Sequence, residues 1–219
     1  MNADRPAQKS AVTFAKTGRA VYHSHHDLLR FWERLVRRAG LPIRLTRGFN
    51  PHPRLVFPHA LGLGIISRVE VVEIELDSRL DNEELRLRLD RAAAGVLEIL
   101  EARSLPPAGK SRQVSACRYR LSGWRREDAP VLARAAAELL ARKEIRVERG
   151  APDARRLVDI RPYLREMSRD FGAGEAELEI SHSPSGSARP DEVAKLLAAA
   201  AGLDWRDWRL EKIAMALAV

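Results

Sequence analysis

The segment Arg47-Gly48-Phe49-Asn50-Pro51-His52-Pro53-Arg54 constrains this chain more than any other stretch. Each of its two prolines lacks the N–H that a helix or a sheet ladder requires, so the stretch must be a loop. It nevertheless presents two Arg, an Asn and a His at fixed positions, and rigidly set polar loops are where binding and catalysis concentrate. Charge points to the same region. Between Lys9 and Arg68 there are eleven Lys or Arg against two acids, Asp27 and Glu33, a net +9 in a chain whose overall net charge is +8. The basicity is therefore local, and it favours an anionic partner such as nucleic acid, a phosphorylated ligand or an acidic protein surface.

With 219 residues, 45% of them hydrophobic, the chain can bury a core as one large domain or two of about 100 residues each. A single cysteine, Cys117, rules out a disulfide framework and any zinc or iron–sulfur site built on cysteines. The polar start, up to Ser10, has no apolar signal core, and no stretch approaches the roughly 20 apolar residues that span a bilayer. A cytoplasmic protein without membrane association is the expectation.

Val12–Phe14 and Ala20–Tyr22 read as strand on either side of the turn Lys16-Thr17-Gly18. Ser24, with Asp27 three residues on, is a capping-box pattern opening a helix from about His25 to Ala39, closed by Gly40. On that helix Leu28, Trp32, Leu35 and Ala39 share one face and Arg30, Arg34, Arg37 and Arg38 the opposite one. A short strand after Pro42 to about Leu45, an extended Leu55–Phe57, an alternating Val69–Leu76, a helix from Asp81 to Gly95 and a strand Val96–Ala102 follow. Strand, helix, strand, strand, helix, strand is the split βαβ, or ferredoxin-like, order. After a linker at Pro106–Ser111 it recurs: strand Ala116–Leu121, helix Asp128–Arg142, strand Ile145–Glu148, a further strand at Leu157–Ile160 or Ala176–Ile180, helix Pro190–Ala201 and strand Trp208–Ala216. The expected fold is α+β, two tandem ferredoxin-like halves over residues 1–108 and 109–219. Ser181 to Ser187 is expected to be a mobile loop with His182 at the surface, and Gly62 and Gly64 a bend.

Arg47 and Arg54 offer forked donors to phosphate, Asn50 can meet a base edge, and His52 can hydrogen-bond or stack. Phe49 is either a stacking surface or a core residue; Phe57 is read as core. The arginines of the first helix suit a phosphate backbone when taken with Arg44, Arg47 and Arg54. His23, His25, His26 and Asp27 lack metal-site spacing, because neighbours on a helix diverge by about 100°. Asp27 is read as a cap and His25 as held by a hydrogen bond, a possible polar site; no metal or other cofactor is expected.

Several stretches together resemble the radical-SAM-linked family of uncharacterised bacterial proteins. They are Lys16-Thr17-Gly18, Ser24-His25-His26-Asp27-Leu28 with Arg30, Arg37 to Pro42, Gly48 to Arg54 with Phe57, Gly64 to Ser67 with Glu70, and Val158 to Tyr163. Where the family pattern usually has leucine, this chain has His26. The resemblance implies association with radical SAM chemistry performed by a separately encoded protein, since one cysteine cannot supply the three thiolates that hold such a cluster.

The function expected on these grounds is a non-catalytic RNA-binding or substrate-presenting module, acting on a structured RNA such as tRNA or rRNA. Its contacts would be Arg30, Arg37, Arg38, Arg47, Gly48, Asn50, His52 and Arg54. Two alternatives remain open. Paired ferredoxin-like halves also occur in CRISPR repeat-processing endoribonucleases, and by that analogy His25 or His52 would serve as a base. The basic face could instead dock an acidic patch on an enzyme.

Overall fold

The structure, a computed structural model, describes residues 5–60, 62–106, 109–151 and 153–218. The fold is α+β, and the chain forms two compact units. One runs up to Gln113 and takes in Ala218, and the other is Val114–Leu217.

In the first unit the elements are β1 (Gln8–Lys16), α1 (His25–Arg38), β2 (Leu55–Val56), β3 (Ile66–Leu76), α2 (Asn82–Ala93) and β4 (Glu98–Leu105). β1 pairs antiparallel with both β3 and β4, and β3 with β2. Across the sheet the strands therefore run fourth, first, third, second. Val12 and Phe14 on β1 and Val72, Ile74 and Leu76 on β3 share a face with the helices, by the two-residue period of a strand. They pack there on Leu28, Trp32, Leu35 and Val36 of α1 and Leu85 and Leu89 of α2.

α1 forms where its caps dictate. The Asp27 N–H donates to Ser24 Oγ at 3.2 Å and the Ser24 N–H to Asp27 Oδ2 at 3.2 Å, so two otherwise orphaned donors are satisfied. Two expected strands are corrected. Gly18–Tyr22 is a 3₁₀ turn, not a strand: Gly18 enters it at φ +53°, and the Ala20 N–H closes on the Thr17 carbonyl at 3.1 Å. The stretch after Pro42 makes isolated bridges, Ile43 to Leu76 and Leu45 to Pro53, because prolines at both ends remove ladder donors.

The second unit holds, apart from the end residues Gln113 and Ala218, β5 (Gln113–Ser122), α3 (Ala129–Ala141), β6 (Arg146–Arg149), β7 (Arg156–Asp159), β8 (Leu164–Met167), β9 (Glu175–Ser183), β10 (Gly186–Ser187), α4 (Pro190–Ala201) and β11 (Arg209–Ala218). β5 lies between β11 and β9, and β9 also pairs with β8 and β10. Both candidate middle strands exist, Arg156–Asp159 in a separate hairpin with β6 and Glu175–Ser183 in the main sheet. Ser181 to Ser187 is not a mobile loop: most of it is the β9–β10 hairpin, and His182 is half-buried.

Val158 to Tyr163 has a structural role. Asp159 Oδ1 accepts from the Ile145 N–H at 2.8 Å and the Arg161 N–H at 3.0 Å, and these bonds hold its carboxyl below the usual range. The Arg161 guanidinium donates to the carbonyls of Leu140, Arg142 and Leu164. It thereby ties the open end of α3 to the start of β8, as arginines do at helix C-termini.

Candidate nucleic-acid interface

The proline-bearing loop is a narrow-necked projection. At its neck the Thr46 N–H donates to the His52 carbonyl at 2.8 Å, the His52 N–H to Thr46 Oγ1 at 2.9 Å, and the Arg54 N–H to the Arg44 carbonyl at 2.9 Å. The Arg44 N–H in turn donates to the Glu75 carbonyl at 2.8 Å, which fastens the neck to β3. Pro53 is buried at the base, while Arg47, Gly48, Phe49, Asn50 and Pro51 are all exposed. Gly48 has φ +128°, a conformation that L side chains rarely adopt, so the tip turns there. Phe49 is fully exposed, so it is not the core residue that one sequence reading made it. Phe57, by contrast, packs against the core, edge-on to Trp32 and His25 at centroid distances of 6.5 and 5.6 Å.

Two side chains brace the loop. His52 Nδ1 lies 3.2 Å from Glu33 Oε1 and ties the loop to α1. Arg54 Nη1 donates to Glu75 Oε2 at 3.3 Å, and Arg44 approaches both Glu75 and Asp77. Arg54 thus spends part of its fork inside the protein, as an anchor for the loop.

Helix geometry orders the remaining arginines. Counting about 100° per residue from Glu33, Arg37, Arg30, Arg34 and Arg38 stand at about 40°, 60°, 100° and 140° around the axis. All four are exposed, and Leu28, Trp32, Leu35 and Val36 fill the opposite side. The basic band of α1 therefore begins beside the loop, at the Glu33–His52 contact, and ends on the flank that faces α2. There Arg38 Nη2 donates to the Ala92 carbonyl. Arg38 also lines a pocket of about 370 Å³ with Ala39, Arg88, Arg91, Ala92 and Ala94. Arg88 and Arg91 escaped the sequence reading because fifty residues separate them from Arg38. The available signal was their own i, i+3 spacing on the polar side of α2.

His25 and Asp27 have local explanations. The His25 ring packs edge-on to Phe57 and lies 6.1 Å from the His26 ring. Asp27 is held below the usual carboxyl range by its side-chain and backbone hydrogen bonds to Ser24. At the surface an aromatic ring projects beside Arg47 and Asn50, on a loop tied through His52 and Glu33 to the helix that carries the exposed arginines. Such a set can stack on a base and pair with phosphates.

A family model described as "uncharacterized protein conserved in bacteria (DUF2344)" matches residues 9–190. No curated protein matches the sequence. Among solved structures the chain is similar to one described as an unknown protein from Galdieria sulphuraria, at 11% identity over 97% of this chain and 99% of that one. The TM-score is 0.27, too low to inform the fold. Since the matched span takes in most of the chain, loop and α1 included, the protein belongs to the bacterial DUF2344 family of uncharacterized proteins.

Proposed function

We propose that this protein is a non-catalytic RNA-binding module whose first unit holds an unpaired segment of a structured RNA. Phe49 carries the reading. A fully exposed phenylalanine on a braced loop costs solubility and adds nothing to the core, whereas every base offers a face on which it can stack. Arg47 and Asn50 beside it, and Arg30, Arg34, Arg37 and Arg38 along α1, supply the phosphate and base-edge partners.

The same reading takes both units as ferredoxin-like halves. Support comes from the fourth, first, third, second order in the first unit, matched in the second by β11, β5, β9 and β8. It also takes a separately encoded radical SAM enzyme as the partner that modifies the bound RNA, on the strength of the sequence resemblance.

Fluorescence anisotropy with a labelled unstructured RNA tests the module. Phe49→Ala should weaken binding about tenfold, the worth of one base–aromatic stack, and leave the melting temperature unchanged. Binding should also weaken steeply as salt rises. Absence of saturable binding, or full affinity in Phe49→Ala, would overturn the reading. One observation favours a second: the His52–Glu33 pair, in which a carboxylate orients an imidazole as general bases require. A metal-independent nuclease would convert the same RNA to a cyclic-phosphate product, whereas the binding module leaves it intact.

A further inference from the structure

We infer that the pocket lined by Arg38, Arg88 and Arg91 is a binding site for a phosphate group. The site stands on these residues alone; the RNA reading supplies only one of two sources for the phosphate. Three arginines from two packed helices line a space of about 370 Å³, within the range of small-ligand pockets. Arg88 is paired with Glu84. Arg38 donates to the Ala92 carbonyl and so offsets the negative end of α2. Arg91, in the last turn of α2, is exposed and makes no hydrogen bond or ion pair among the described residues. One carboxylate against three arginines leaves the pocket strongly positive.

The chemistry selects the anion. A planar carboxylate is satisfied by a single fork, whereas several arginines supplied by two helices suit an anion with several oxygens around one centre. A doubly charged monoester answers that charge better than a singly charged diester does. The rest of the lining is also suited to close approach: Ala39, Ala92 and Ala94 are small, and Ala94 holds φ +50°, the left-handed region, without being glycine. Helix capping accounts for Arg38 and an i, i+4 pair for Arg88, but neither explains Arg91.

The helical order of α1 suggests how the two sites connect. Around the axis of α1 the other three arginines lie between the Glu33–His52 contact and Arg38, so a strand held at Phe49 that crosses this face would lay its end in the pocket. The phosphate would then be the terminal monoester of the RNA. A free phosphorylated small molecule is the other source.

Binding of the full chain to one RNA in 5′-phosphorylated and 5′-hydroxyl forms, and to inorganic phosphate alone, separates the cases. The phosphorylated RNA should bind about tenfold more tightly, the worth of one charge-assisted contact. Arg91→Gln should abolish that difference while leaving the 5′-hydroxyl affinity and the melting temperature unchanged. If RNA shows no end preference, or does not bind at all, but inorganic phosphate binds saturably in wild type and not in Arg91→Gln, the phosphate site stands with a small-molecule source. In the second of those cases the RNA reading falls by itself. If neither RNA end nor inorganic phosphate distinguishes wild type from Arg91→Gln, the inference is overturned.

Discussion

His182, on β9, carries a protonation cost that the rest of the chain must support. Burial first, and then the positive charge of Lys212, push its imidazole from 6.5 down to about 4. The unfolded chain therefore takes up a proton near pH 6.5 that the folded chain declines until about pH 4. Stability is lost as pH falls through that window, and below it both states are protonated and the loss stops growing. Urea unfolding at pH 7 and pH 4.5 should give a smaller acid loss in His182→Asn than in wild type. Equal losses in the two proteins would mean that His182 titrates normally. The sequence placed this histidine at the surface, because Ser, Pro and Gly around it read as loop. The β9–β10 hairpin uses those residues as its turn, and cross-strand pairing is not visible in composition.

At the scale of elements, the β1–β3 pair shows a charge buried on the face opposite the helices. Lys9 Nζ approaches Glu73 Oε2 at 2.9 Å, with both side chains almost fully buried. The Arg112 N–H and Nε add bonds to Glu73 Oε1 at 3.1 and 3.2 Å. Burial alone would raise the Glu73 carboxyl, but these donors outweigh it and hold the group below its usual range. Lys9→Met should cost up to about 3 kcal/mol, because it leaves the buried carboxylate with the Arg112 donors alone. Lys9→Met with Glu73→Leu should cost less than the single change, since the charge then left without its partner, Arg112, is partly exposed to water. Chemical denaturation of the three proteins checks this, and a double variant as damaged as the single would refute the pairing. The alternation in Val69–Leu76 was legible as a strand, but Glu73 broke its apolar pattern. Its partner stands sixty-four positions earlier, which no local window can register. α1 was legible almost to the residue, because Ser24, Asp27 and Gly40 fix its ends through contacts within a few residues.

For the molecule as a whole, the four helices and the long strands were readable because they declare themselves by local period, whereas the short strands β8 and β10 were not. The site was half readable. The loop stood out through Pro51 and Pro53, and the α1 band through its arginines. The exposure of Phe49, the bracing role of Arg54 and the contribution of Arg88 and Arg91 depend on how distant segments pack. Among the described residues no helix is long and apolar enough to cross a membrane. The chain's net +8 is concentrated in the segment that holds the loop and α1, so an anionic polymer should find that surface first. Ultraviolet crosslinking of the full chain to RNA, with the crosslinked peptides mapped by mass, tests this most directly. The account predicts crosslinks at Phe49 and its neighbours between Arg47 and Arg54. Crosslinks confined to Val114–Leu217, or none above background, would contradict it.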